Sequence, residues 1–223
     1  MSTRRVIMFT KFERFWHWSQ MTLIFILLFT GFAIRGIHSL ISFETSVMLH
    51  TFAALALIVL WIFAIFWHFT TGTWRHYVPT SNGLFRVARY YAFGIFKGEH
   101  HPYRKTYQRK HNPLQALSYL GLKIFLFPAI WVSGLLYLSY PMWSNLTAGK
   151  NWLEGVATIH VISAFAILIF IIAHIYLLTT GHSFKEHVKP MITGYDDVDL
   201  TEAEESYLQQ DEPGHIKPEV TIK

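Results

Sequence analysis

The chain contains an uncharged run near its C-terminal end that carries two histidines. From Gly155 to Thr180 there is no Asp, Glu, Lys or Arg, and this run is long enough to cross a bilayer as a helix. His160 and His174 are fourteen residues apart, so in a helix both imidazoles point nearly the same way, about 21 Å apart along the axis. Ionisable groups inside a membrane are functional candidates by default. The pair indicates either two haem irons stacked across the membrane or two hydrogen-bonded core histidines.

The composition also favours a membrane protein. The chain has 223 residues, of which 52% are hydrophobic and 17% aromatic, and this is too apolar for an ordinary soluble domain. It has no cysteine, which excludes cysteine-ligated iron–sulfur clusters, c-type haem attachment and disulfides within the chain. Residues 195–223 have a net charge of −7, while the rest of the chain has a net charge of +12. Basic charge of this kind marks the cytoplasmic side of a membrane protein and does not indicate a nucleic-acid partner.

Four apolar runs are long enough to span a membrane. The predicted spans are about 15–34, 46–71, 113–140 and 153–180. The segments rich in Lys and Arg are 1–14, 73–112 and 182–190, whereas the connections 35–45 and 141–151 carry one such residue each. By the positive-inside rule, both termini and the long basic segment are cytoplasmic. The sequence therefore predicts an all-α, integral four-helix bundle over residues 1–194, in the bacterial cytoplasmic membrane.

Two polar segments lie outside the spans. In the basic segment 73–112, aromatic and apolar residues alternate with cations over GLFRVARYYAFGIFKG (83–98), which predicts an interfacial amphipathic helix. A solvated loop with basic anchors is the alternative. The tail 195–223 is acidic and polar, and its end is predicted to be disordered or bound to a partner.

The topology gives each intramembrane histidine a depth. His50 and His160 lie near the outer face, and His17 and His174 lie near the inner face. Each pair supplies two imidazoles from two helices at one level, as a bis-histidine haem b requires, because its axial ligands approach the iron from opposite faces. The sequence therefore predicts two haems b. His68 is also near the inner face and competes with His17, but its setting FWHFTTG is typical of the membrane interface, so His17 is preferred.

Four segments carry a resemblance to a known family: FERFWHW (12–18), MLHTFAALALI (48–58), HNPLQALSYLG (111–121) and IHVISAFAILIFIIAHIYLL (159–178). In these segments the chain resembles the diheme b-type cytochrome subunits of membrane-bound nickel–iron hydrogenases, formate dehydrogenases (the gamma subunit) and thiosulfate reductases. The resemblance covers about residues 10–195 and leaves out the acidic tail. It implies a four-helix membrane anchor whose haem-iron ligands are His17, His50, His160 and His174.

Other residues are candidates for the surroundings of the haems. A haem is a broad plate, so Gly31, Gly134 and Ala173 are candidates to lie beside it, although small residues also serve ordinary helix packing. Arg14 near the inner level and Arg35 near the outer level are placed to bind haem propionates, or to act as snorkelling anchors.

The HNPLQ motif lies where the basic segment enters the third span. Asn112 and Gln115 can donate and accept hydrogen bonds, as a quinone headgroup requires. In the family that the chain resembles, the asparagine at this position belongs to the quinone site, so the resemblance implies that role for Asn112, and we extend it to Gln115 of the same motif. Asn112 can equally be the N-cap that precedes Pro113. Lys123 either snorkels inward or faces a propionate or the quinone cavity.

The predicted function is that of an electron-transfer subunit. A diheme cytochrome b membrane anchor of a respiratory oxidoreductase complex would pass electrons between a periplasmic-side redox subunit, an iron–sulfur or multihaem protein, and menaquinone or ubiquinone. The expected partners are this subunit, membrane lipids and quinone; no catalytic residue beyond a quinone reduction or quinol oxidation site is predicted. The alternatives are a stand-alone quinol-oxidising cytochrome and a transporter or structural protein without haem. The basic segment and the acidic tail favour a docked subunit.

Overall fold

The structure, a computed structural model, describes residues 2–100, 102–103, 106, 110–146, 149–179 and 184–217. Four of its helices are long and apolar enough to cross a membrane, and they run over Lys11–Ile34, Phe43–Thr71, Pro113–Leu138 and Asn151–Leu178. The prediction of a helical membrane protein with four spans is therefore confirmed. Phenylalanine and isoleucine side chains are exposed along these helices, which is what a lipid-facing surface requires.

The elements follow one another in a simple order. They are strand β1 (Ser2–Ile7), helices α1 (Lys11–Ile34), α2 (Phe43–Thr71), α3 (Leu84–Arg89), α4 (Pro113–Gly121), α5 (Phe127–Leu138), α6 (Tyr140–Trp143), α7 (Gly149–Leu178) and α8 (Phe184–Thr193), strand β2 (Tyr195–Leu200) and helix α9 (Glu202–Gln210). A 3₁₀ turn over Thr73–Tyr77 follows α2. The spans carry the predicted histidines. The segments predicted to be cytoplasmic contain β1, α3, α8, β2 and α9, whereas α6 begins the connection that is predicted to lie on the outer side.

The third span is a continuous helix with a local irregularity. A π-helical turn over Leu122–Leu126 joins α4 to α5, and Pro128 follows at the start of α5. Proline has no N–H to donate to the carbonyl of Ile124, four residues earlier, so the regular hydrogen-bond ladder cannot continue there. Lys123 lies within this π turn and is half-buried.

The basic segment contains the helix that its sequence predicts. Helix α3 continues through a π turn, Tyr90–Gly94, and a 3₁₀ turn, Ile95–Lys97. One face of this helical stretch is exposed and includes phenylalanines next to cations, while the other is buried. This amphipathic pattern supports the helix and disfavours a solvated loop. Residues 101, 104–105 and 107–109 of the segment lie outside the described residues.

The acidic tail contains a strand and a helix within residues 195–217. Strand β2 pairs antiparallel with β1, with Ser2 opposite Leu200 and Ile7 opposite Tyr195. A small core forms from the buried side chains of Val6, Met8, Val198, Leu200 and Leu208. Thr201 and Glu204 form a reciprocal capping box that starts α9. The predicted disorder or partner binding concerned the end of the tail, and residues 218–223 lie outside the described residues.

The tail forms a strand because apolar and acidic residues alternate in its sequence. Val198 and Leu200 are buried, while the acidic residue between them, Asp199, is exposed, as the period of two in a half-buried strand requires. Average composition hides this alternation. The pairing partner is also remote, because β1 opens the chain. Arg4 of β1 binds Glu205 of α9 with an Nε–Oε1 distance of 2.9 Å, so opposite charges join the two ends.

The chain divides into two compact units. The first comprises residues 1–22, 59–116 and 178–223, and the second comprises residues 23–58 and 117–177. The first unit contains the terminal sheet and His17. The second unit contains His50, His160 and His174.

Candidate haem site

His50 and His160 face each other within the second unit. Their ring centroids are 6.3 Å apart, and the ring planes are inclined by 63°. A metal ion between two opposed imidazoles lies about 2 Å from each nitrogen, and each nitrogen is about 1 Å from its ring centre, so the centroids are roughly 6 Å apart in such a site. The observed separation therefore suits one metal ion between these two rings.

A hydroxyl on a neighbouring helix binds the Nδ1 atom of each of these rings. Thr30 Oγ1 is 2.9 Å from Nδ1 of His50, and it donates its own proton to the carbonyl of Ile26 at 2.7 Å. A hydroxyl has one proton, so with this proton on the carbonyl of Ile26 we assign Thr30 as the acceptor of the Nδ1–H of His50. The neutral imidazole then carries its lone pair on Nε2, which is the atom that can bind a metal.

His160 has the same arrangement in the other half of the pair. Ser133 Oγ is 3.2 Å from Nδ1 of His160, and it donates to the carbonyl of Ala129 at 2.6 Å. Ser133 therefore also accepts from Nδ1–H. Both rings are held in the tautomer that a metal ligand needs.

Two glycines adjoin the same rings. A Cβ atom on Gly31 would lie 3.4 Å from Cε1 of His50, and a Cβ atom on Gly134 would lie 3.1 Å from Cε1 of His160. Both glycines were predicted to lie beside a haem, and in the structure each lies against a predicted haem ligand. Ala173, the third small residue of that prediction, has an exposed side chain.

A cavity of about 200 Å³ opens beside His50 and His160. Its other lining residues are mostly aliphatic and aromatic, and they include Leu27, Leu57, Phe127 and Ile167. Among the described residues that line it there is no Asp, Glu, Lys or Arg. The residues present therefore fit a haem, because an apolar macrocycle needs an apolar wall and its iron needs two opposed imidazoles.

His174 lies four turns further along α7. The hydroxyl of Tyr119 is 3.2 Å from Nδ1 of His174, and the ring of Phe170 lies parallel to the imidazole with a centroid distance of 6.2 Å. The residue therefore has an oriented ring with one nitrogen bound to a hydroxyl, as His50 and His160 do.

His17 and His68, the two candidates for the remaining ligand, both belong to the first unit. The His17 ring meets the ring of Trp18 edge-on at 5.3 Å. His68 donates Nδ1–H to the carbonyl of Ala64 at 2.7 Å, and its ring contacts the rings of Trp16 and Tyr77. Both histidines are half-buried. The choice of His17 stays a prediction.

The two arginines predicted for the propionates lie in different surroundings. Arg14 donates Nη1–H to the carbonyl of Ile192, near the end of α8, so part of its guanidinium binds the chain itself. Arg35 follows the last residue of α1 and is exposed. Their roles toward haem stay predictions.

Asn112 is the N-cap of α4, as the alternative reading of the motif predicts. Its Oδ1 accepts from the N–H of Gln115 at 2.9 Å, and the Gln115 side chain accepts from the N–H of Asn112 at 3.2 Å. The amide of the buried Asn112 also donates to the hydroxyl of Tyr91 at 3.2 Å. Burial raises the pKa of Tyr91, and the Asn112 hydrogen bond acts in the opposite direction. Tyr91 was not predicted, since nothing local in its sequence marks it.

A buried charge cluster at the start of α1 was also not predicted. Glu13 Oε1 accepts from Lys110 Nζ at 2.7 Å and from the hydroxyl of Tyr77, and Glu13 Oε2 accepts from the N–H of Thr10 at 2.8 Å. Burial lowers the pKa of Lys110, while the carboxylate of Glu13 acts in the opposite direction. The Thr10-x-x-Glu13 capping box was visible in the sequence, but the lysine 97 residues away was not.

Comparison with known proteins identifies the family of the chain. The family model described as prokaryotic cytochrome b561 matches residues 8–194. The chain is 34% identical over 200 residues to the "putative cytochrome YdhU" of Escherichia coli (strain K12), and this match covers 86% of the chain and 74% of that protein. The resemblance to membrane b-type cytochromes is therefore confirmed. The chain belongs to the prokaryotic cytochrome b561 family and is an integral membrane cytochrome of the inner membrane whose family implies haem b.

Proposed function

We propose that this membrane cytochrome is the diheme anchor subunit of a respiratory oxidoreductase complex, which exchanges electrons between a periplasmic-side redox protein and the quinone pool. Family membership supports electron transfer by a membrane cytochrome b. Beyond family membership, we propose two haems with histidine ligands, a quinone site and a redox partner. The observation that carries it is the facing pair His50 and His160, each with a hydroxyl that accepts from Nδ1–H.

The ligands would come from all the spans except the third. His50 and His160 would hold the outer haem, and His17 and His174 would hold the inner one, as the depths in the sequence predict. When bound, haem iron supplies reversible one-electron transfer. The chain contributes Nε2 lone pairs, the orientation of the rings and an apolar wall that excludes water. The third span would support this ligation through Ser133 and Tyr119, which bind the Nδ1 atoms of His160 and His174.

The quinone would bind where the basic segment enters the third span. Reduction of a quinone to a quinol consumes two electrons and two protons, so the site needs hydrogen-bond donors at the quinone oxygens and access to cytoplasmic protons. The amide of Asn112 and the hydroxyl of Tyr91 form a hydrogen-bonded pair that can supply such donors. Gln115 would act through the cap that holds Asn112 in place. Quinol oxidation uses the same groups in the reverse direction.

The redox partner would dock on the periplasmic side. Proposed cytoplasmic termini leave the outer haem as the point of contact with an iron–sulfur or multihaem subunit. The second candidate function is a stand-alone quinol-oxidising cytochrome. The order of the acidic tail makes that candidate stronger than the sequence suggested, because residues 195–217 pack on β1 of the same chain, and the tail then needs no partner to cover it.

A pyridine haemochromogen assay on the purified chain tests the proposal. We expect about two protohaems per chain, and we expect His50→Ala and His160→Ala each to remove the same one. Pull-down of the tagged chain from its native membrane should bring a second redox polypeptide. A colourless protein would refute the haem proposal. A protein with two haems that purifies alone and oxidises quinol would favour the stand-alone cytochrome.

A further inference from the structure

We infer that two hydroxyl–glycine pairs, Thr30–Gly31 on α1 and Ser133–Gly134 on α5, position the outer histidines for metal binding. In each pair the hydroxyl keeps the proton on Nδ1 of the imidazole, and the glycine lets the imidazole ring lie close to the helix that carries the pair. This inference rests on the proposed function, because that proposal makes His50 a haem ligand together with His160.

The same arrangement occurs twice. Thr30 and Ser133 are each followed directly by a glycine, and each lies on a different span from the histidine it binds. Their exposed fractions are 0% and 3%, so water does not compete for these hydroxyls. Two unrelated segments of the chain thus place a buried hydroxyl and a glycine against an imidazole.

The direction of each hydrogen bond follows from the proton count. With the single hydroxyl protons assigned to the carbonyls of Ile26 and Ala129, each hydroxyl oxygen accepts from an imidazole Nδ1–H. A hydroxyl is a neutral acceptor, weaker than a carboxylate, and the imidazole that donates to it keeps its proton. Loss of this acceptor makes the imidazole a poorer electron donor to a bound metal. A poorer donor stabilises the reduced metal, so the potential of the site should rise.

The glycines act on the position of the ring. A Cβ at Gly134 would lie 3.1 Å from Cε1 of His160, closer than ordinary van der Waals contact, whereas the distance at Gly31 would be 3.4 Å from His50. Cε1 is bonded to Nε2, so a push on Cε1 tilts the nitrogen that binds the metal. We therefore expect Gly134→Ala to disturb its histidine more than Gly31→Ala does.

The chain offers matched controls for both changes. Thr22 on α1 also donates its hydroxyl to a carbonyl one turn earlier, that of Trp18 at 3.0 Å, but binds no histidine among the contacts described. Gly121 on α4 is a helical glycine with no atom within 4 Å of a Cβ placed on it. Thr22→Ala and Gly121→Ala thus remove a hydroxyl, or add a methyl group, away from the histidines.

The test is a redox titration with electron paramagnetic resonance of the oxidised haems in the purified, haem-loaded protein. We expect Thr30→Ala and Ser133→Ala to keep two haems and to raise the potential of one of them by about 59 mV, the one-electron equivalent of a tenfold change in the redox equilibrium constant. Thr30→Ser and Ser133→Thr keep the hydroxyl, so both variants should have the wild-type redox potential. Gly134→Ala should alter the resonance of that haem, and both control variants should match the wild type.

The outcomes separate the two proposals. Absence of haem from the wild type refutes the proposed function. Two haems in the wild type, with potentials and spectra unchanged in Thr30→Ala, Ser133→Ala and Gly134→Ala, refute this inference alone. If Ser133→Ala loses a haem, restoration by Ser133→Thr supports the inference, and failure of Ser133→Thr to restore it counts against it.

Discussion

The Nζ atom of Lys110 lies 2.7 Å from Oε1 of Glu13, and the exposed fractions of the two side chains are 4% and 2%. This ion pair joins the start of α1 to the end of the basic segment. The Lys110 ammonium also lies over the rings of Phe9 and Tyr77, at 5.3 and 5.7 Å from their centroids. A charge this deeply buried is stable only beside a partner of opposite charge, because water does not reach the site to solvate it.

Removal of Lys110 should therefore destabilise the first unit strongly. Lys110→Met leaves the carboxylate of Glu13 buried without its cation, which costs about 3–5 kcal/mol in comparable buried pairs. The double variant Glu13→Gln/Lys110→Met removes both charges and should recover much of that loss. Thermal unfolding in detergent, followed by tryptophan fluorescence, measures the effect.

The exposed pair Arg89–Glu99 is a suitable control for that experiment. Its N–O distance is 2.6 Å, but the side chains are 65% and 34% exposed. Exposed pairs contribute roughly 0–1 kcal/mol, so Arg89→Ala should shift the melting temperature little. Equal shifts for Lys110→Met and Arg89→Ala would show that burial of the Glu13 pair carries no special weight.

The terminal sheet should protect the C-terminal segment from proteolysis. Leu208 of α9 is buried against Val6 and Leu200, and truncation of a buried leucine to alanine costs about 2–5 kcal/mol. Leu208→Ala should therefore speed cleavage after β2, measured by limited proteolysis of the protein with a C-terminal tag. Gln209→Ala changes the exposed neighbour on the same helix and should cleave at the wild-type rate. Equal rates in both variants would mean that the small core does not hold the segment.

The membrane-spanning part could be predicted because its signals are local. An uncharged run of more than 20 residues has few alternatives to a membrane helix, and His160 and His174 are related by the pitch of a single helix. The depth of His50 then followed from the charge of the loops. The structure places His50 opposite His160, as the depth requires. Local periodicity and charge were enough to predict that these two histidines lie close together.

The rest could not be predicted because it depends on distant partners. Glu13 meets Lys110 across 97 residues, and no periodicity connects them. Strand β2 is acidic, and it became recognisable as a strand only beside β1, at the opposite end of the chain. The hydrogen bond that the Asn112 amide donates to the Tyr91 hydroxyl also joins residues 21 positions apart. The average composition of a segment does not reveal these contacts, because each depends on particular side chains from distant parts of the sequence.

Tyr91 should give the protein a distinct response to alkaline pH. Burial raises its pKa above the ordinary value of 10.0, so the folded protein keeps the phenolic proton after the unfolded chain has lost it. That contribution to stability is complete below pH 10 and is lost as the pH rises through the folded value. Tyr91→Phe should therefore lose less stability between pH 10 and 11 than the wild type loses. Melting temperatures measured over this range test it, and parallel curves would contradict it.

Asn112 has two roles that can be separated by substitution. Asn112→Ser keeps a side-chain oxygen for the helix cap but removes the amide that donates to Tyr91. We expect it to melt close to the wild type and to slow haem reduction by quinol about tenfold, the effect of losing roughly 1.4 kcal/mol of hydrogen bonding. Asn112→Ala should slow the reaction and also lose about 1 kcal/mol of stability. Stopped-flow absorbance with a soluble quinol measures the rate. A wild-type rate in Asn112→Ser would show that the Asn112 amide is not part of the quinone site.

The inner ligand can be assigned by comparing His17 with His68. His68 already donates Nδ1–H to its own helix and lies among aromatic rings, including Trp16 and Tyr77, so His68→Phe should preserve this packing. If His17 is the ligand, His17→Ala should retain about one protohaem per chain, while His68→Phe retains about two. The remaining haem in His17→Ala should have the spectrum that His50→Ala lacks, because the two variants empty different sites. Haem loss in His68→Phe with two haems retained in His17→Ala would transfer the inner ligand to α2, and α2, like α7, would then supply ligands at both levels.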